Sequence, residues 1–147
     1  MQSLVRKEAN EIIDKLEVAL LDRYERQDCD VNHSFFEYLY VRECVLIEGM
    51  RVTSKIHKHR HPYVLMEGAA EVWIDKIGWK LIEGPYYGVT PAGTRRVLKI
   101  IRTCYWLTFH GHPLGETHDL DDLEAYIIEP HDNEFMCTIP SQQIENK

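Results

Sequence analysis

Between residues 36 and 110 the chain is a series of short runs rich in aromatic and β-branched residues. Turn signals cut it about every 8–12 residues: Gly49, Glu67-Gly68, residues 76–78 and Gly84-Pro85. No such run can bury a face alone. Their spacing predicts a mainly β sandwich or barrel, with strands near residues 38–48, 51–61, 63–66, 70–75, 79–83, 88–91, 97–102 and 105–110. At 147 residues the chain is long enough to fill such a core without staples.

Helical periodicity flanks the β region on both sides. Val5, Ala9, Ile12, Leu16, Leu20 and Tyr24 recur at three- and four-residue steps, which predicts an amphipathic helix. Ser3 is its expected N-cap, and its expected end is near Gln27, before the polar stretch 28–34. The string HDLDDLEAYI at 118–127 predicts a short second helix capped by Asp119. The chain therefore divides into a helix and linker (1–34), a β domain (35–116) and a short helix with a polar tail (117–147).

Charge and cysteine content narrow the classes of function. A net charge of −7 and a pI near 5.6 argue against nucleic acid and against an anionic membrane as partners. Cys29, Cys44, Cys104 and Cys137 form no C-x-x-C pair, which excludes a zinc ribbon or thioredoxin motif. All four are read as reduced, which implies an intracellular, cytoplasmic setting. The N-terminal residues have neither the apolar core of a signal peptide nor that of a membrane span. Phosphate-loop and G-x-S-x-G nucleophile motifs are absent, and no residue is assigned a catalytic role.

Three histidines alternate in Ile56-His57-Lys58-His59-Arg60-His61. On a strand they share one face, with Lys58 and Arg60 on the other. Imidazoles converging in this way bind a divalent transition metal. In a straight strand, however, His57 and His61 lie about 13 Å apart, against a metal–nitrogen bond of about 2 Å. They share an ion only if the chain bends. His57 and His59 are the easier pair, and His110, at the end of a later run, is the best third ligand.

Gly49, the His57-Lys58-His59 string, Gly68, Gly84 and Pro91-Ala92-Gly93 resemble, in order and spacing, the two motifs of the cupin superfamily. The likeness covers roughly residues 40–112 and implies a single cupin-type double-stranded β-helix barrel. A narrower likeness rests on the strings at 56–61, 91–97 and 106–110. They resemble a group of small cupin-like proteins often encoded by bacteriophages, for which no activity is established. It implies an accessory protein in the cytoplasm of the host cell. Two usual metal ligands are missing. Arg60, Pro62, Tyr63 and Val64 fill the window of the expected glutamate, and Arg96 takes the place of the second-motif histidine. Arginine stays protonated and donates no lone pair to a metal.

Two readings of the pocket follow. In one, His57, His59, His61 and His110 supply the ligands of one divalent ion: iron, zinc, nickel or copper. In the other there is no cofactor, and Arg96 with His57, His61, Tyr63 and Tyr86 frames a small anionic ligand. The second requires Arg96, rather than Arg95, to point inward. The resemblance and the residues together imply a cupin that binds a small anionic ligand or a divalent metal and forms a homodimer. Its rivals are a metal-dependent cupin enzyme of dioxygenase or isomerase type, and a structural or virion-associated assembly module.

Overall fold

Two long strands form the spine, and the rest of the chain is arranged around them. The computed structural model describes residues 4–74, 77–130 and 135–141. In chain order the elements are α1 (Leu4–Leu20), β1 (Tyr24–Arg26), β2 (Asp30–Phe36), β3 (Leu39–Leu46), β4 (Arg51–Thr53), β5 (His61–Ile74), β6 (Gly78–Glu83), β7 (Tyr86–Thr90), β8 (Val97–Gly111), α2 (Leu120–Ile127) and β9 (Met136–Pro140). β5 and β8, of 14 and 15 residues, pair antiparallel along most of their length. One side of the curled sheet runs β1-β9-β4-β8-β3-β2, while β5 carries β6 and β7 on its other edge.

The predicted break at Glu67-Gly68 is a bulge inside one strand. The β5–β8 register shifts between Leu65 and Ala70. Gly68 sits there at φ +106°, where an added Cβ would lie 2.3 Å from the Thr103 carbonyl oxygen. Only a glycine lets the two backbones approach that closely, and the bulge bends β5 so that both halves stay on the core. Leu65, Ala70 and Val72 on β5 meet Ile100, Cys104 and Trp106 on β8 in the main apolar cluster.

Several expected boundaries moved because sheet pairing won over local pattern. α1 ends at Leu20, short of Gln27, and residues 24–26 instead pair with β9, Tyr24 opposite Pro140. The polar stretch 28–34 is largely β2, paired with β3 along its whole length. So residues 24–34, placed outside the barrel from sequence, belong to its sheet. In the polar tail, Met136–Pro140 forms β9 between β1 and β4. α2 matches expectation, with the Asp119 carboxylate accepting from the Asp121 and Asp122 amides. Ser3, residues 75–76 and 131–134, and the last six residues lie outside the described residues.

The cysteines divide into two kinds. Cys44 and Cys104 are free and buried, as expected of strand thiols. Cys29 and Cys137, by contrast, are joined as a disulfide, which corrects the reading of all four as reduced. The sequence separates this pair by 108 residues, so spacing carried no hint of it. No described helix is long and apolar enough to cross a membrane.

Candidate functional site

His57, His61 and His110 meet at the wall of a cavity of about 340 Å³. Each reaches it from a different element. Residues 54–60, expected to continue a strand, form a loop between β4 and β5. That loop is held at both ends. The His57 carbonyl accepts from the Gly93 amide at 2.7 Å, and the His57 amide donates to the Thr94 carbonyl. On the other side, the Lys58 amide donates to the Ile127 carbonyl and the Glu129 amide to that of Ile56. The Pro91-Ala92-Gly93 string, with Gly93 at φ +76°, thus acts as the brace that positions His57 rather than as a ligand loop. Ile56 fixes the loop from below as a fully buried side chain.

The bend brings His57 and His61 together, ring centroids 4.6 Å apart, a separation that a straight strand forbids. His61 opens β5. His110 ends the alternating face of β8 that also presents Trp106 and Thr108 to the cavity. Its ring lies 4.5 Å from that of His61 and 5.7 Å from that of His57. One ligand atom from each of the three falls within 4.8 Å of the others. An ion bonded to three nitrogens at about 2.1 Å needs them roughly 3–3.5 Å apart, so small ring rotations close the set.

His59, the easier partner of His57 on the strand reading, does not join them. It is exposed and stacks on Tyr126 at 4.6 Å. The period-two rule placed it beside His57, but it applies to strands and residues 54–60 are a loop.

The chemistry of the donors fits a metal. The His61 Nδ1–H donates to the His59 carbonyl oxygen at 3.3 Å, which fixes the tautomer and frees Nε2 as a lone-pair donor. Thr108 Oγ1 stands 3.0 Å from His110 Nε2. His57 Nδ1 is buried with no hydrogen-bond partner, an uncompensated polar atom that a ligand would satisfy. Burial holds the His57 imidazole down at about 3 and that of His110 at about 2, with His61 and Arg42 adding repulsion in both cases. Burial lowers that of His61 as well. All three are therefore neutral near pH 7, the form that binds metals.

The two arginines separate. Arg95 points away from the cavity: its fully buried guanidinium donates to the Ser54 and Asn10 carbonyls and pairs with Asp14 and Glu17 of α1. Arg96 is the inward one. Its Nη2 donates to Thr90 Oγ1 at 3.1 Å, its guanidinium lies 5.5 Å over the Tyr63 ring, and its Nε is buried without a partner. Neither Glu67 nor Glu71 pairs with it among the described residues. Burial disfavours its charged form, and Tyr63 and Tyr86 only partly offset that. Tyr63 and Tyr86 lie on the opposite side of Arg96 from the histidines and line a different cavity.

Sequence reading missed Arg42 and His33. Both line the histidine cavity. A signal for Arg42 existed: Tyr40, Arg42, Cys44 and Leu46 alternate along β3, so a cation sits on the face that otherwise turns inward. His33 lies on β2, in a stretch that read as linker; its Nδ1 is 2.6 Å from the Tyr40 hydroxyl.

No protein-family model matches this sequence, and no curated protein is similar to it. Solved structures are. The cupin_2 domain of an XRE-family transcriptional regulator from Enterobacter cloacae aligns with a TM-score of 0.50 at 16% identity, over 59% of this chain and 99% of that one. The fold is a cupin-type double-stranded β-helix. Two other cupins align at TM-scores of 0.48 and 0.45. A cupin-2 domain protein from Shewanella frigidimarina does so at 13% identity over 69% of this chain and 92% of its own. An RmlC-like cupin from Methanocaldococcus jannaschii does so at 8% over 60% and 87%.

Proposed function

We propose that this cupin-fold chain holds one divalent transition metal on His57, His61 and His110, in a cavity that also takes a small anionic ligand. The observation that carries the reading is the convergence of three neutral imidazoles, two buried and one half-buried, from three elements within 4.8 Å. Solvated surface histidines have no reason to be built this way. A metal so held supplies Lewis acidity to an oxygen of whatever ligand joins it. The anion follows from the charge of the cavity wall. Arg42, Arg96 and Lys55 face it, against Glu124 alone, which is already paired with Lys55. An arginine offers paired donors to a carboxylate or phosphate, and a largely buried one without a counter-charge is costly until such a group arrives.

Elemental analysis of protein purified without a histidine tag tests this. Near-stoichiometric iron, zinc, nickel or copper is expected. His57→Ala, His61→Ala and His110→Ala should each abolish it in a folded chain, while His59→Ala should leave it intact. Metal retained by the three single variants, or lost with His59, would reject the assignment. The proposal extends to a homodimer. The support for the dimer is that β2 is a terminal strand of the sheet and that Phe36 and Tyr38 beside it are more than half exposed. Light scattering would show one mass or two.

A further inference from the structure

A second cavity, of about 640 Å³, lies between α1 and the β5–β6–β7 side of the sheet. Its floor is apolar and aromatic: Ile13 of α1, Val72 and Trp73 of β5, Ile82 of β6 and Tyr86 of β7. Its charged lining consists of Lys80, Arg95 and Arg96, with no carboxylate among the described lining residues. That is unexpected in a chain whose net charge is −7. Arg95 is neutralised by Asp14 and Glu17, whereas Arg96 and Lys80 find only neutral partners here. The Lys80 ammonium lies 3.4 Å from the Tyr86 hydroxyl and over its ring.

Two buried polar atoms at this cavity are left without partners. Asn10 is 5% exposed, and its Nδ2 makes no hydrogen bond. Arg96 Nε is in the same condition. Both are donors, and a buried donor whose hydrogen bond is unmade is destabilising until an acceptor reaches it. An apolar floor, two unsatisfied donors and two cations with only neutral partners together describe a site for an acceptor-only, negatively charged group attached to an apolar body.

We infer that this cleft is a second small-molecule site, for a carboxylate carried on an aromatic or similarly bulky apolar body. The carboxylate sits among Arg96, Lys80 and Asn10, and the body lies on Trp73, Tyr86 and Val72. The site stands apart from the histidine cavity except at Arg96, whose side chain forms part of the wall of both.

Calorimetric titration of the full chain with 2-naphthoate tests the site, with 2-naphthamide as its uncharged counterpart. The acid is expected to bind at sub-millimolar concentration and the amide about ten-fold more weakly or worse. Lys80→Glu alters an exposed side chain and leaves the fold alone; Asn10→Leu removes the buried amide. A ten-fold loss of naphthoate affinity in either, with an unchanged circular dichroism spectrum, supports the site. His57→Ala separates the two readings: it should lose metal and keep naphthoate affinity. Equal binding of acid and amide, no binding of the acid at millimolar concentration, or wild-type affinity in both cleft variants overturns the inference, whatever the metal content.

Discussion

Burial keeps the imidazoles of His57, His61 and His110 neutral, and this neutrality has a consequence in acid. Folded, His57 titrates at about 3 and His110 at about 2, with His61 also lowered. Unfolded, each titrates near 6.5. Between these limits the unfolded chain takes up protons that the folded chain refuses, so stability rises with pH across the window and falls as pH drops through 6.5. Chelator-treated protein should be fully stable above about pH 7. Below 6.5 it should lose up to about 1.4 kcal/mol per pH unit for each imidazole that stays neutral. Urea unfolding at pH 7.5 and pH 5.5 measures the difference, and a His57→Gln, His110→Gln double variant should shrink it. A profile as steep in the double variant as in the parent would mean that other groups carry the effect. Of the site, the three histidines that meet at the cavity were among the four candidates singled out by residue type and order. His59 was misplaced because the pleat rule assumes a strand. Arg42 was readable in principle from its place in the β3 alternation, and His33 was hidden by a segment that looks polar until its partner strand is known.

At the scale of elements, α1 is held to the barrel by one buried cation. Arg95 reaches the Asn10 carbonyl, Asp14 and Glu17 on the helix and the Ser54 carbonyl on the barrel side, and Glu17 in turn accepts from the Thr53 hydroxyl. Its side chain has no exposed area, so its removal leaves Glu17 without its counter-charge and the two carbonyls without their arginine donor. Arg95→Ala is expected to cost about 3–5 kcal/mol, the usual penalty for breaking a buried pair from one side. It should also expose α1 to limited proteolysis while β5 and β8 stay protected. Urea denaturation and the mass of the first proteolytic fragment check both points; a loss below 1 kcal/mol by the first measure would make the contact a surface-grade ion pair. The helix itself was plain in its periodicity, and so was α2 with its Asp119 cap. What the pattern could not supply was what α1 packs on, since Arg95 and Arg96 are adjacent and chemically identical. Only the closed fold turns one to the helix and the other to the cavities. The short strands β1 and β9 were invisible for a related reason. Three and five residues carry too little alternation to read, and their evidence lies in each other.

For the molecule as a whole, cationic side chains outnumber acidic ones along both cavities, and two segments distant in the chain are tied across the sheet. β9 completes the side formed by β4 and β1, and Cys137 within it is bonded to Cys29 in the segment that leads from β1 to β2. This crosslink closes a loop of 108 residues, nearly three-quarters of the chain. In the chain-entropy account, a loop of about 100 residues confers about 4.7 kcal/mol by restricting the unfolded ensemble. That is comparable with the entire stability of an ordinary domain. The same bond ties β9 to the strands bearing the cavity wall, because Phe135, directly before β9, lines the histidine cavity beneath the Arg42 guanidinium. Denatured without reductant, the chain should therefore show two reactive thiols, Cys44 and Cys104, and four after reduction. Cys29→Ser, Cys137→Ser should unfold at markedly lower urea while retaining the β spectrum, since β5 and β8 do not depend on the bond. If four thiols react before any reductant is added, the crosslink is not part of the native molecule, and β9 must be held by its pairing with β1 and β4 without it.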